Sequence, residues 1–224
     1  VRIWTVGCAT GEEAYSLAIL LLEYTADLIA PPTIQIFASD LSKDALDFAR
    51  DGCYPEAIAI DVGEERLARF FTKENSHYRV RNELREPILF TQHNLLQDPP
   101  FSRLDLVICR NLLIYLQREL QEKIFETFHY ALRPNGYLFL GNAESAEGAT
   151  VLFDTLDKRQ RLYRRRVQGN TTPILPSLPM LPRTLHALVP TGNVASAPKK
   201  AGEEHRLMLE TLGPPSVLVD REYH

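Results

Sequence analysis

The sequence predicts an α/β fold: a doubly wound, mainly parallel sheet with a small inserted subdomain. Short apolar or β-branched runs at Val1–Val6, Ile34–Ala38, Leu104–Cys109 and Tyr137–Gly141 alternate with segments whose apolar residues recur at helical spacing. Parallel neighbours need a long crossover, so this alternation puts helices on both faces of one sheet. The balance of 45% hydrophobic and 24% charged residues in 224 is that of a soluble globular chain with a core to bury, which excludes disorder and collagen-like repeats.

Each element follows from local chemistry. Val1–Val6 is the first strand, and a turn over Gly7–Gly11 delivers it into a helix expected over Glu12–Ile29, stopped by Pro31 and Pro32. Ile34–Ala38 is a second buried strand ending at Ser39 and Asp40. A helix from about Ser42 to Arg50 follows, with Ser42 as N-cap and Gly52 as its stop. The next stretch is less regular. An amphipathic helix over Glu64–Phe71 and strand-like pieces at Tyr78–Arg81 and Pro87–His93 read together as a small insertion. Alternation resumes with the strand Leu104–Cys109 and a helix over Gln117–Leu132. Pro134-Asn135-Gly136 is the break before the strand Tyr137–Gly141, and Leu152–Arg165 has the pattern of a hairpin. The expected core is Val1, Ile3, Trp4, Val6, Ile34, Ile36, Phe37, Leu106, Val107, Ile108, Leu138 and Phe139.

The composition changes at Val167. Pro173, Pro176, Pro179, Pro182, Pro190 and Pro198 punctuate a Thr, Ser, Gly and Ala background, so 167–202 reads as a Pro-rich linker. Residues 203–224 read as a helix with Leu207, Leu209 and Leu212, then the truncated start of a second domain with a strand-like Ser216–Val219. Beginning at Val1, the chain reads as an excised piece of something longer.

Charge and cysteine usage narrow the function classes. Lys+Arg of 25 against Asp+Glu of 29 gives a net charge of −4, so there is no global positive field to hold a nucleic-acid backbone. The basic cluster Lys158, Arg159, Arg161, Arg164, Arg165 and Arg166 falls on the hairpin and reads as a solvated strand end, with attraction to an acidic surface as a second use. Cys8, Cys53 and Cys109 are odd in number and unpaired in spacing, which argues against a disulfide framework or a zinc site and for a reducing cytoplasm. The longest apolar run, Leu17–Leu22, predicts neither a membrane span nor a secretory leader.

In a doubly wound sheet, ligands bind beyond the carboxyl ends of the strands. That places the chemistry at Gly7–Glu13, Asp40, Asn94 and Arg110–Tyr115. The first loop, Gly7-Cys8-Ala9-Thr10-Gly11-Glu12-Glu13, lacks the G-x-G-x-x-G spacing of a dinucleotide site. Glu12 and Glu13 suit the positive end of a helix dipole but repel a phosphate brought to the same place. The favoured ligand has no phosphate and carries positive charge, as S-adenosylmethionine does. Asp40 can accept hydrogen bonds from the hydroxyls of an unphosphorylated ribose, and Asn94 offers an amide acceptor to an adenine amine beside the backbone of Leu95.

Taken together, Trp4–Ser16 (WTVGCATGEEAYS), Phe37–Asp40 (FASD), Asn94-Leu95-Leu96, Phe101–Tyr115 (FSRLDLVICRNLLIY) and Leu132–Ser145 (LRPNGYLFLGNAES) resemble the CheR family of chemotaxis-receptor glutamate methyltransferases. The resemblance covers 1–166, and implies the S-adenosylmethionine-dependent methyltransferase (Rossmann-like) fold. The linker and the tail Gly213–Asp220 further resemble hybrid proteins in which methylesterase, methyltransferase and PAS-like sensor modules share one chain. The resemblance implies methyl transfer from S-adenosylmethionine, leaving S-adenosylhomocysteine, to glutamate carboxylates on the cytoplasmic helical domain of a chemoreceptor. Nucleic-acid binding and membrane insertion are not implied. Carried over by motif, Gly7, Cys8, Ala9, Thr10, Gly11 and Glu12 line the methionine side of the cofactor, Asp40 the ribose, Asn94 and Leu95 the adenine, and Arg110 and Asn111 the methionyl end. Tyr115 lies near the transferred methyl, and Tyr115 or Arg110 orients the incoming carboxylate. The family also has a helical module ahead of the first strand, which these residues do not include, and the insertion Asp51–Arg85 is either a receptor-docking surface, as the family's small β-subdomain implies, or only a covering element.

Three other readings compete. A methyltransferase for a small molecule or RNA keeps the class but, for RNA, calls for a basic stripe where the loops carry Glu12, Glu13 and Asp40. A non-catalytic cofactor-binding or scaffold module is kept alive by the PAS-like tail. A nicotinamide-dependent oxidoreductase fails on the glycine spacing and the charge of the first loop.

Overall fold

A computed structural model describes residues Val1–Val167; from residue 168 on, the expected linker and second domain lie outside the described residues. The chain runs β1 (Arg2–Val6), α1 (Glu12–Thr25), β2 (Gln35–Asp40), α2 (Lys43–Asp51), β3 (Cys53–Pro55), α3 (Ala59–Val62), α4 (Glu64–Phe70), β4 (Phe71–Glu74), β5 (His77–Val80), α5 (Asn82–Arg85), β6 (Ile88–Gln92), β7 (Leu104–Cys109), α6 (Arg118–Ala131), β8 (Leu132–Leu140), β9 (Phe153–Asp157) and β10 (Leu162–Arg165). The main sheet has the order β6-β2-β1-β7-β8-β10-β9. Its first five strands pair in parallel, and the β9–β10 hairpin closes one edge antiparallel. A second antiparallel sheet, β3-β5-β4, forms the insertion.

From β1 the chain moves outward through β2 to β6 and then returns to β7 on the other side of β1. The strand order therefore reverses between β1 and β7, which opens a crevice at their carboxyl ends. The period-2 alternation of side chains sends Trp4, Val6, Phe37, Val107 and Cys109 to one face, under Ile124, Phe125 and Phe128 of α6. Ile3, Ile36 and Ile108 go to the other, under Tyr15, Ala18 and Ile19 of α1. Trp4 is fully buried, and the edges or faces of His93, Phe101 and Phe128 pack around it with centroids 5.2–5.8 Å away. Its indole N–H donates to Ser39 Oγ at 2.8 Å, which ties β1 to β2 through a buried polar pair.

The elements depart from the sequence reading in identifiable ways. α2 has the expected caps: Ser42 Oγ accepts from the Ala45 N–H, and Gly52 is left-handed at φ 61°. α1 stops at Thr25, well before the prolines, where the Thr25 hydroxyl donates back to the Leu21 carbonyl and the next amides make tighter three-residue bonds to Glu23 and Thr25. Pro87–His93 is not part of the insertion, because β6 is the edge strand of the main sheet. β3 and β4 were not expected; β3 (Cys53-Tyr54-Pro55) is very short and β4 (Phe71-Thr72-Lys73-Glu74) is mostly polar, and pairing with β5 makes them strands. The break at Pro134-Asn135-Gly136 is a bulge inside β8, not its start. Leu104 pairs with Leu132 and Leu106 with Tyr137, so the extra residues loop out where a proline cannot donate to the ladder.

Of the expected core, Val1 is exposed because it precedes the first strand, and Ile34 is half-buried because β2 begins after it. Leu106 and Phe139 are half-covered, since α1 leans over β2 and β6 on their face of the sheet. Trp4→Ala is expected to cost about 3–5 kcal/mol of stability, the usual loss for a fully buried large aromatic, read as a lower urea midpoint.

Candidate active site

The first loop is held in place by the end of β2. The Ser39 carbonyl accepts the N–H groups of Gly7 (2.8 Å) and Cys8 (3.0 Å), so the chain turns sharply as β1 ends. Gly7, Ala9 and Gly11 have φ of 69°, 45° and 92°, a left-handed series that glycine adopts freely at its two ends while Ala9 carries a side chain in the middle. At Gly11 a side chain would also collide, since a Cβ would lie 2.8 Å from that of Ala49. Asp40, the last residue of β2, accepts the Ala9 N–H on Oδ2 and the Ser42 N–H on Oδ1, each at 2.8 Å. Its carboxylate thus shapes both the first loop and the start of α2, and each oxygen keeps a lone pair for another donor.

The acidic pair at the start of α1 is not idle. The Thr10 hydroxyl lies 2.7–2.8 Å from both carboxylate oxygens of Glu12 and donates to it. Glu13 reaches across the crevice to Arg110, whose Nη1 donates to Oε2 at 3.2 Å, and the Arg110 guanidinium lies 5.7 Å from the Phe139 ring centroid. Burial raises the Glu13 carboxyl above its usual range, and the nearby Glu144 adds to this, against the opposing pull of Arg110. Burial likewise pushes the Cys8 thiol up to about 12, with Asp40 adding to it, and lifts Cys109 well above its usual value. Neither thiol is a nucleophile in this environment.

On the far side of the crevice, β7 runs into Arg110, left-handed Asn111 (φ 56°) and a tight turn over Leu113–Tyr115. Glu144, only 3% exposed, accepts four backbone N–H groups here: Leu112 (2.9 Å) and Leu113 (2.7 Å) on Oε1, Asn111 (3.1 Å) and Gly141 (2.7 Å) on Oε2. Gln121 of α6 donates to the carbonyls of Leu113 (3.0 Å) and Leu116 (2.9 Å). Tyr115 stands 66% exposed at the outer end of this loop.

Asn94 and Leu95 follow β6. The His93 N–H donates to the Asp40 carbonyl at 3.0 Å, which brings this turn alongside the end of β2. Asn94 Oδ1 already accepts the Leu96 N–H at 3.0 Å, and the Asn94 N–H donates to Asp98 Oδ2 at 2.7 Å. One amide lone pair and the amide N–H groups stay free for a ligand. The carboxyl ends of β1, β2, β6 and β7 therefore carry every residue singled out from the sequence.

Sequence reasoning missed two residues that build this site. Glu144 sits in the quoted LRPNGYLFLGNAES stretch, and its signal was a lone acid just beyond the end of a buried strand. Tyr54 comes from β3 of the insertion, and its hydroxyl donates to the Thr10 carbonyl at 2.6 Å. Nothing local in the sequence pairs Tyr54 with Thr10, because the contact depends on how the insertion packs.

The family described as CheR methyltransferase, SAM binding domain, matches residues 1–162. An uncharacterized 104.1 kDa protein of Rhodobacter capsulatus is 40% identical over 227 residues, covering 100% of this chain and 23% of that protein. A chemotaxis protein methyltransferase of Borreliella burgdorferi is 31% identical over 151 residues, 66% of this chain and 53% of that protein. One of Salmonella typhimurium is 35% identical over 153 residues, 64% of this chain and 51% of that protein. The chain spans less than two thirds of the length of each of these relatives.

Two outcomes follow from the titrating groups. The folded state holds the Glu13 proton more tightly than the unfolded chain, so its contribution to stability falls as pH rises from the usual 4.5 through the raised folded-state value. Glu13→Gln should flatten that part of the stability curve, read as urea midpoints across the range. In the native protein at pH 8, iodoacetamide should leave Cys8 and Cys109 unmodified, and mass spectrometry should find both modified in urea.

Proposed function

The chain belongs to the CheR methyltransferase family through its S-adenosylmethionine-binding domain, and on that premise we propose that it methylates glutamate side-chain carboxylates on the cytoplasmic helices of chemoreceptors. The product is a neutral methyl ester, and the setting is signalling adaptation in the cytoplasm. The alignment of the whole chain to part of a 104.1 kDa protein supports a larger setting, in which 1–166 is the catalytic domain, 167–202 a linker and 203–224 the start of a PAS-like module, with a methylesterase module elsewhere in the chain. Among the described residues, no helix is long and apolar enough to cross a membrane.

The observation that carries this reading is the charge at the switch point. Glu12, Glu13 and Asp40 converge there with Arg110 as the cation, and Arg110 is already bonded to Glu13. Such a set repels a pyrophosphate and accepts a cation with a free ribose. The residues therefore fit S-adenosylmethionine. Asp40 retains lone pairs for the ribose hydroxyls, Asn94 and Leu95 flank the adenine, and Gly7, Cys8, Ala9, Thr10, Gly11 and Glu12 line the methionine side. Arg110 and Asn111 hold the methionyl end.

When bound, the cofactor supplies a methyl group on a sulfonium. A glutamate side chain ionises near about pH 4.3 and arrives as a carboxylate at neutral pH, so the site needs no general base. The protein's part is alignment and partial exclusion of water. Arg110 and exposed Tyr115 are the donors that orient the incoming carboxylate.

Calorimetric titration should show micromolar binding of S-adenosylmethionine and S-adenosylhomocysteine, none of NADH, and a large loss in Asp40→Asn. In the full-length protein, transfer of labelled methyl to a receptor cytoplasmic fragment should fall about 10- to 100-fold in Tyr115→Phe and Arg110→Ala, since a hydrogen bond to a charged group is worth about 1.5–3 kcal/mol. Near-normal turnover in both variants would remove them from the mechanism. Stoichiometric cofactor binding with no transfer would favour a scaffold.

A further inference from the structure

We propose that Glu144 is a positioning residue: its buried carboxylate fixes the 110–115 loop in the form that presents Arg110, Asn111 and Tyr115 together. The proposal deepens the methyltransferase reading and rests on it for the roles of those three residues. Its own ground is geometric. The four N–H groups that Glu144 accepts come from the ends of two neighbouring strands, β7 and β8. Three of them, on Asn111, Leu112 and Leu113, are consecutive and form a small anion-binding nest that the protein fills with its own side chain.

The arrangement tolerates little change. Asn111 is left-handed at φ 56°, a conformation that asparagine adopts more readily than other residues with a side chain, and its N–H is turned to Glu144 Oε2. A Cβ on Gly141 would lie 2.6 Å from Glu144 Oε2, so the approach of this carboxylate is what demands glycine there. Each Glu144 oxygen accepts two N–H groups, so glutamine fails in either orientation, because its NH₂ would face two donors. Gln121 grips the carbonyls of the same loop from α6. Three of the loop's N–H donors are thus committed to Glu144 and the Tyr115 N–H to the Leu112 carbonyl, while Gln121 takes the carbonyls of Leu113 and Leu116, so the exposed side chains of Arg110 and Tyr115 stand on a fixed backbone.

The test uses the 224-residue chain with Glu144→Gln, Gly141→Ala and, as a control, Asp154→Asn in a surface ion pair. Three quantities are measured: the Kd for S-adenosylhomocysteine by calorimetry well below melting, amide hydrogen exchange, and the melting temperature. Glu144→Gln should weaken binding at least tenfold and speed exchange at Asn111, Leu112 and Leu113 at least tenfold. Amides of β1 and β2 should stay protected, and the control should match the parent. A Glu144 that only adds stability would lower the melting temperature and leave the Kd and the loop exchange of the folded protein unchanged, and that result overturns the proposal. Should Glu144→Gln not fold, Gly141→Ala displaces the same carboxylate more gently at a residue whose backbone accepts alanine, and the same outcomes apply. Failure of the parent to bind S-adenosylhomocysteine would defeat the methyltransferase reading instead. Loop exchange would then still decide whether Glu144 holds the loop.

Discussion

Where a parallel strand ends, its last amide N–H groups and those of the following loop lose the neighbouring strand's carbonyls, and each must find another acceptor or remain costly. In this chain carboxylates take many of them. Asp40 accepts from Ala9 and Ser42, Asp98 from Asn94, and Glu144 from Asn111, Leu112, Leu113 and Gly141. Hydrogen bonds to an ionised acceptor are stronger than neutral ones, so the loops at this edge of the sheet are fixed by groups that also carry charge. The carboxyl edge of the sheet becomes rigid and negative for the same reason.

That shared cause links fold to chemistry. A pyrophosphate-binding α/β protein leaves its loop N–H groups pointing at the ligand and keeps acids away. Here two of the first-loop amides are used on the Ser39 carbonyl and a third on Asp40. Glu12 and Glu13 then occupy the start of α1, where a phosphate would otherwise sit. Glu13 pays for its burial with a raised proton affinity, offset in part by Arg110. Arg110, the cation bonded into this group, reaches from the end of β7 to Glu13 of α1, so an ion pair, partly exposed and modest in energy, spans the crevice where the strand order reverses.

The insertion is more than a surface appendage. Tyr54, buried at 3% exposure, reaches from the small sheet to the Thr10 carbonyl and packs edge-on against Tyr15 of α1. Tyr15 in turn donates to the Ala49 carbonyl of α2. First loop, first helix, second helix and insertion are thus joined through two tyrosine hydroxyls, and the first loop is braced from outside the main sheet as well as from β2.

Much of this was legible in order along the chain. β7 and the caps of α2 follow from local signals, an apolar run and a Ser…Gly frame, which act within a few residues and need no partner. The same holds for the Gly7–Gly11 turn and for Asp40 at a strand end. Other features were decided only in three dimensions. β3 and β4 carry no strand pattern and exist because β5 lies between them, and β6 belongs to the main sheet because β2 offers it a parallel edge. Residues 133–136 bulge within β8 because the strands on both sides of them stay in register with β7. Glu144 carried little signal beyond a lone acid past a strand end, since three of its four partners lie about thirty residues away at the end of another strand. Local backbone preference and periodicity are properties of a segment, so the sequence by itself determined the fold class and the positions of the loops. Satisfaction of buried polar groups is a property of the assembled chain, so only the tertiary structure decided which side chains hold those loops in shape.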